Sequence, residues 1–91
     1  MTPTTGHRAP ALWRFIGRRI RIARKKSGIN PTAFALTIRV SKQAVHQFEH
    51  GDRGVRLEVL YRIARATGRP ISYFLPSVEE MHPEFPESPE T

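Results

Sequence analysis

Between Ser41 and Gly51 the chain reads Ser-Lys-Gln-Ala-Val-His-Gln-Phe-Glu-His-Gly. At the helical period Val45 and Phe48 turn to one side, and Lys42, Gln43, His46 and Gln47 occupy the other. Ammonium, carboxamide and imidazole groups on one flank are equipped to hydrogen-bond an ordered partner. The sequence offers no nucleophile–base pair, no Gly-rich phosphate loop and no pair of carboxylates in the part expected to fold. His46 and His50 stand four apart, a workable metal spacing, yet only two ligands are evident and there is no thiol. Histidines on a polar face account for that spacing, so neither a metal nor a cofactor is expected, and the chain does not read as an enzyme.

The charge distribution says what kind of partner. The 91 residues carry a formal charge of +7. No Asp or Glu precedes Glu49, while ten Lys or Arg do. Residues 1–76 sum to +12 and residues 77–91, with Glu79, Glu80, Glu84, Glu87 and Glu90, to −5. A body so lopsided repels itself unless a polyanion offsets the cost. Zero cysteines rule out a disulfide framework and suit a reducing compartment. No apolar run approaches the roughly 18 residues of a membrane span, so no membrane partner is expected. An acid-free, Arg-rich start also has the composition of an organellar transit peptide, but cleavage near Lys26 would remove a core helix. With a hydrophobic fraction of 38%, a chain this short supports one small core.

These side chains need elements to hold them. Residues 1–10, with Pro3, Gly6 and Pro10, read as a flexible arm. Ala11 to about Ser27 reads as a first helix with Leu12, Ile16, Ile20 and Ala23 in one stripe and Trp13 at its edge; Gly28 stops it. Phe15 and Ile22 form a second strip, fit either for a second copy of the chain or for packing against a later helix. Asn30 caps a short second helix that Pro31 opens, with Phe34, Ala35 and Ile38 inward. Ser41 caps a third, Lys42 to about His50, ended by Gly51. The fourth, Leu57 to Thr67, is expected to bury Leu57, Leu60, Tyr61 and Ala64, with Ile63 beside them. Pro70 opens a short fifth helix carrying Ile71, Phe74 and Leu75. Residues 11–76 are thus expected to form one all-α domain, and 77–91 an acidic, Pro-rich disordered tail.

The second and third helices, joined by about three residues, form a helix-turn-helix, and the polar face of the third is then available to a major groove. The stretches IGRRIRIARKKSGINPTAFALTIRVSKQAVHQFEHG and LEVLYRIARATGRPISYFL, together about Ile16 to Leu75, resemble the XRE or Cro-repressor family of compact five-helix DNA-binding domains. Two residues depart from that family's pattern. Arg39 stands in the turn where Gly is usual, and Pro31 replaces the Gln that commonly touches a phosphate.

The resemblance implies roles. Lys42, Gln43 and Gln47 match positions that read bases, with His46 as a minor base or backbone contact. Gln pairs bidentately with adenine, and Lys with guanine O6 and N7. Lys42 suits a phosphate equally well. Asn30, Ser41, His50, Arg53 and Arg56 are phosphate candidates; for Ser41, capping alone is an equal alternative. Arg8 in the arm either reaches a groove or adds general attraction. Arg24 and Glu49 match a structural ion pair between the first and third helices.

The function expected is a sequence-specific regulator of transcription in a bacterial or phage-type cytoplasm, associated with the nucleoid. It would most simply be a repressor that binds double-stranded DNA as a homodimer through Tyr73 and Phe74. The alternative is an antitoxin-type protein whose tail also holds a protein partner, a toxin or another regulator. A basic first helix lying on a membrane ranks last, because its apolar stripe fits a core face better.

Overall fold

A computed structural model describes residues 11–77 of the chain; the arm 1–10 and the tail beyond Ser77 lie outside the described residues. Four helices follow in order: α1 Ala11–Lys26, α2 Pro31–Ile38, α3 Lys42–Glu49 and α4 Leu57–Thr67. The fifth element is one 3-10 turn, Ile71–Phe74, in place of the expected fifth helix. Between Pro70 and Pro76 there is room for little more than a turn, and Tyr73 N–H bonds back only to Pro70 O, 3.0 Å. No strand occurs among the described residues.

The two short helices α2 and α3 each start on a side-chain cap. Asn30 Oδ1 accepts from Ala33 N–H at 2.8 Å, and Ser41 Oγ from Ala44 N–H at 2.9 Å. The ends share one device as well. In each case the residue following a left-handed one donates its N–H back across the last turn: Ile29 to Arg24 O, Val40 to Ala35 O, Asp52 to Gln47 O and Arg69 to Ala64 O. Three of the left-handed residues are glycines; after α2 it is Arg39, with φ 63° and ψ 48°. The turn has kept its shape and the side chain bears the strain.

Ile16, Ile20 and Ala23 of α1 meet Phe34, Ala35 and Ile38 of α2, Val45 and Phe48 of α3, and Leu60 and Ile63 of α4 in one core, with Phe74 closing it. The burial of Phe74, at 0% exposed, corrects its expected place in a dimer interface. The stripe on α4 is also rotated from expectation. Val59 and Thr67 are buried, whereas Leu57 and Tyr61 are 71% and 54% exposed. Thr67 enters the core because its hydroxyl donates to Ile63 O, 2.8 Å. Arg62 Nε donates to Ile38 O, 2.9 Å, and ties α4 to the end of α2. Phe15 is half-buried beneath the Arg19 guanidinium, which also lies over Tyr73 and donates to its carbonyl at 2.6 Å. Ile22 remains exposed.

Two features set how α3 lies on α1. At Gly17 the chains pass so closely that a Cβ would meet Phe48 O at 2.1 Å. Seven residues on, Arg24 Nε donates to Glu49 Oε2 (2.6 Å), NH2 to Oε1 (3.1 Å) and NH1 to Ile29 O (2.9 Å). Both side chains are more than nine-tenths buried. Removing one partner from such a pair strands the other charge, at about 3–5 kcal/mol.

Glu49→Ala is therefore expected to lower unfolding free energy by about 3–5 kcal/mol in urea titration, against less than about 0.5 kcal/mol for Glu58→Ala, whose partner Arg56 is exposed. Arg39→Gly relieves a left-handed side chain and is expected to add about 0.5–1 kcal/mol, read as a higher urea midpoint at unchanged slope.

Candidate nucleic-acid interface

With Ala44, Val45 and Phe48 in the core, the other flank of α3 faces solvent. Lys42, Gln43 and His46 are exposed, and Gln47 is half-buried. The flank holds no acid, because Glu49, the one carboxylate of α3, is turned inward onto Arg24. Ser41 Oγ accepts the capping bond and keeps its O–H as a donor beside the first amides of α3, where the helix dipole favours an anion. Asn30 likewise spends its Oδ1 on the cap and keeps its Nδ2 donors at the head of α2.

His50 Nδ1 donates to His46 O at 2.9 Å. A carbonyl only accepts, so Nδ1 carries the proton and Nε2 is left for an outside partner. The rings of His46 and His50 lie in contact, with centroids 4.0 Å apart and planes tilted by 33°. No group of three His, Asp or Glu suited to a metal occurs among the described residues. Beside this flank lies a cleft of about 240 Å³ whose walls include Arg21, Lys42, His46 and His50.

The loop after α3 brings in Arg53 and Arg56, both exposed. Arg53 differs from a plain backbone contact. Its NH1 donates to Gln47 Oε1 at 3.2 Å, and its guanidinium lies 5.4 Å from the Phe48 ring centre. It thereby turns the Gln47 amide so that the NH2 end is the one offered outward. Arg56 keeps only a 3.7 Å contact with Glu58. The loop is braced by Trp13: a Cβ on Gly54 would fall 2.9 Å from the indole. Sequence reasoning missed the roles of Trp13 and Gly54, since a contact across 41 residues leaves no local pattern; a second Gly three residues after Gly51, in a basic loop, was the available signal. Together α3 brings Lys42, Gln43, His46 and Gln47 to one surface, with Ser41, His50 and Arg53 around it.

No helix among the described residues is long and apolar enough to cross a membrane. No curated protein matches the chain. Among solved structures, the restriction-modification controller protein C.AhdI from Aeromonas hydrophila is similar at TM-score 0.66 and 22% identity, over 69% of this chain and 96% of its own. The clp gene regulator ClgR from Corynebacterium glutamicum is similar at TM-score 0.68 and 25% identity, over 74% and 71%. The DNA-binding domain of BldD from S. venezulae is similar at TM-score 0.64 and 25% identity, over 72% and 99%. The helix-turn-helix family model HTH_3 matches residues 20–74, the span from the middle of α1 to the 3-10 turn. The chain therefore belongs to the HTH_3 helix-turn-helix family.

Proposed function

We propose that the chain is a sequence-specific regulator of transcription that binds double-stranded DNA by setting α3 into the major groove. The observation that carries this reading is the acid-free polar flank of α3, held outward by the buried Arg24–Glu49 pair. Gln43 and the NH2 end of Gln47 suit the N7 and N6 edge of adenine, and Lys42 the O6 and N7 of guanine. Ser41, Asn30, His50 and Arg56 would take phosphates and set the register. Two similar structures, the clp gene regulator ClgR and the BldD DNA-binding domain, support the same reading. A flank with so few base-reading side chains specifies few base pairs, which favours a homodimer on a pseudo-palindrome with half-sites about 34 Å apart. Repression is the simplest outcome of such occupancy.

Arg53 belongs to both classes of contact, through its own charge and through Gln47. Selection from a random duplex pool, followed by binding to the selected site and to a scrambled one, checks the division. Gln43→Ala is expected to cost about 1–3 kcal/mol on the selected site only. Arg56→Ala should weaken both duplexes alike and reduce the salt slope by about 0.9. Arg53→Ala should do both. Equal loss of preference from Gln43→Ala and Arg56→Ala would overturn the assignment of α3 as the reader.

A further inference from the structure

The body has a second basic surface that the α3 flank does not use. Thr37 and Arg39, at the end of α2, and Tyr61, Arg62, Arg65 and Ala66, on α4, line a recess of about 460 Å³. It shares no lining residue with the cleft beside α3. Arg62 is anchored on Ile38 O, while Arg39 and Arg65 are exposed with no ion pair among the described residues. No carboxylate lines the recess. Its surroundings are also apolar. Tyr61 is in its wall, Leu57 lies one turn earlier on α4, and Leu36, beside Thr37, is 77% exposed. Three cations and exposed apolar surface together call for an occupant that is acidic and apolar at once.

The chain supplies one. Residues 78–91 contain Glu79, Glu80, Glu84, Glu87 and Glu90 without a Lys or Arg, and interleave Met81 and Phe85. Fourteen residues reach about 45 Å when extended, longer than the 16-residue α1, which spans about 24 Å at 1.5 Å per residue. A tethered segment acts at a millimolar effective concentration, so weak, screened attractions suffice. We propose that residues 78–91 dock in the Arg39–Arg62–Arg65 recess between α2 and α4 of the same chain. DNA phosphates would satisfy the arginines but make no use of Tyr61 and Leu57, whereas Met81 and Phe85 do. Docked there, the tail offsets part of the body's charge at the end of α2 and on α4, outside the cleft beside α3. It trims attraction to duplex of any sequence and leaves α3 open. The proposal does not depend on what α3 binds.

The absence of cysteine makes a single label clean. Ser88→Cys in the full chain, carrying a nitroxide, is read by broadening of backbone amide signals. At low ionic strength the amides of Thr37, Arg39, Tyr61 and Arg65 are expected to broaden at least about twofold more than those of Lys42 to Gln47. The difference should vanish near 1 M salt, where the screening length is about 3 Å. Arg39→Gly with Arg65→Gln, the first of which suits the turn, should abolish it while the amide spectrum stays folded. Mixing labelled chain with unlabelled, isotope-enriched chain should give no broadening on the latter. Broadening centred on α3 and Arg53, uniform broadening, persistence in the double variant, or transfer to the unlabelled copies would each overturn the proposal. So would a shift of the Tyr61 and Arg65 signals, on α4, on adding duplex to a chain truncated after Ser77, which would make the recess a phosphate site.

Discussion

One guanidinium organises the molecule. Arg24 places three of its donors on two partners, the Glu49 carboxylate and the Ile29 carbonyl, and so joins the end of α1, the entry to α2 and the end of α3. The geometry satisfies both oxygens of the acid in a site that water barely reaches. An ion pair of this kind adds little net stability compared with an apolar substitute. What it fixes is direction, because the fork accepts a carboxylate in one plane. The bare backbone at Gly17 allows the helices to close to that distance, and the side chain seven residues on determines the angle at which they do so. The pair also removes the one negative charge of α3 from the surface that α3 presents.

That arrangement divides the surface into regions with distinct chemistry. The α3 flank carries amides, imidazoles and a lysine, with the loop arginines at its border. The α2–α4 recess carries arginines and aliphatic surface, and the opposite edge of α1 carries the Arg19 guanidinium packed between Phe15 and Tyr73. Arginine serves three purposes here: a buried clasp at residue 24, a filler over aromatic rings at residue 19, and open charge at residues 39 and 65. Net charge alone does not separate these uses; the company each side chain keeps does.

The helices were legible wherever the sequence states a boundary chemically. Asn30-Pro31 and Ser41 announce the starts of α2 and α3, and Gly28, Gly51 and Gly68 their neighbours' ends. The left-handed Arg39 was legible only through resemblance, since nothing in an arginine advertises a positive φ. On α4 two overlapping stripes satisfy the same period. Leu57 and Tyr61 look as apolar as Val59, and Thr67 looks polar until its hydroxyl finds Ile63 O. Tertiary anchors such as Arg62 on Ile38 O decide between the stripes, and a one-dimensional pattern does not contain them. The α3 side chains were readable as a polar flank. The Arg53–Gln47 bond was not, because a loop residue's reach depends on a path that the loop alone defines.

Trp13 is the one tryptophan of the chain, and its indole lies against Gly54, in the segment that carries Arg53 and Arg56. The residue is 37% exposed, so the indole senses both water and the interior. The molecule thus carries a built-in optical gauge against the loop that holds Arg53 and Arg56. Any rearrangement of Gly54 alters the surroundings of a single chromophore, with no second indole to blur the emission.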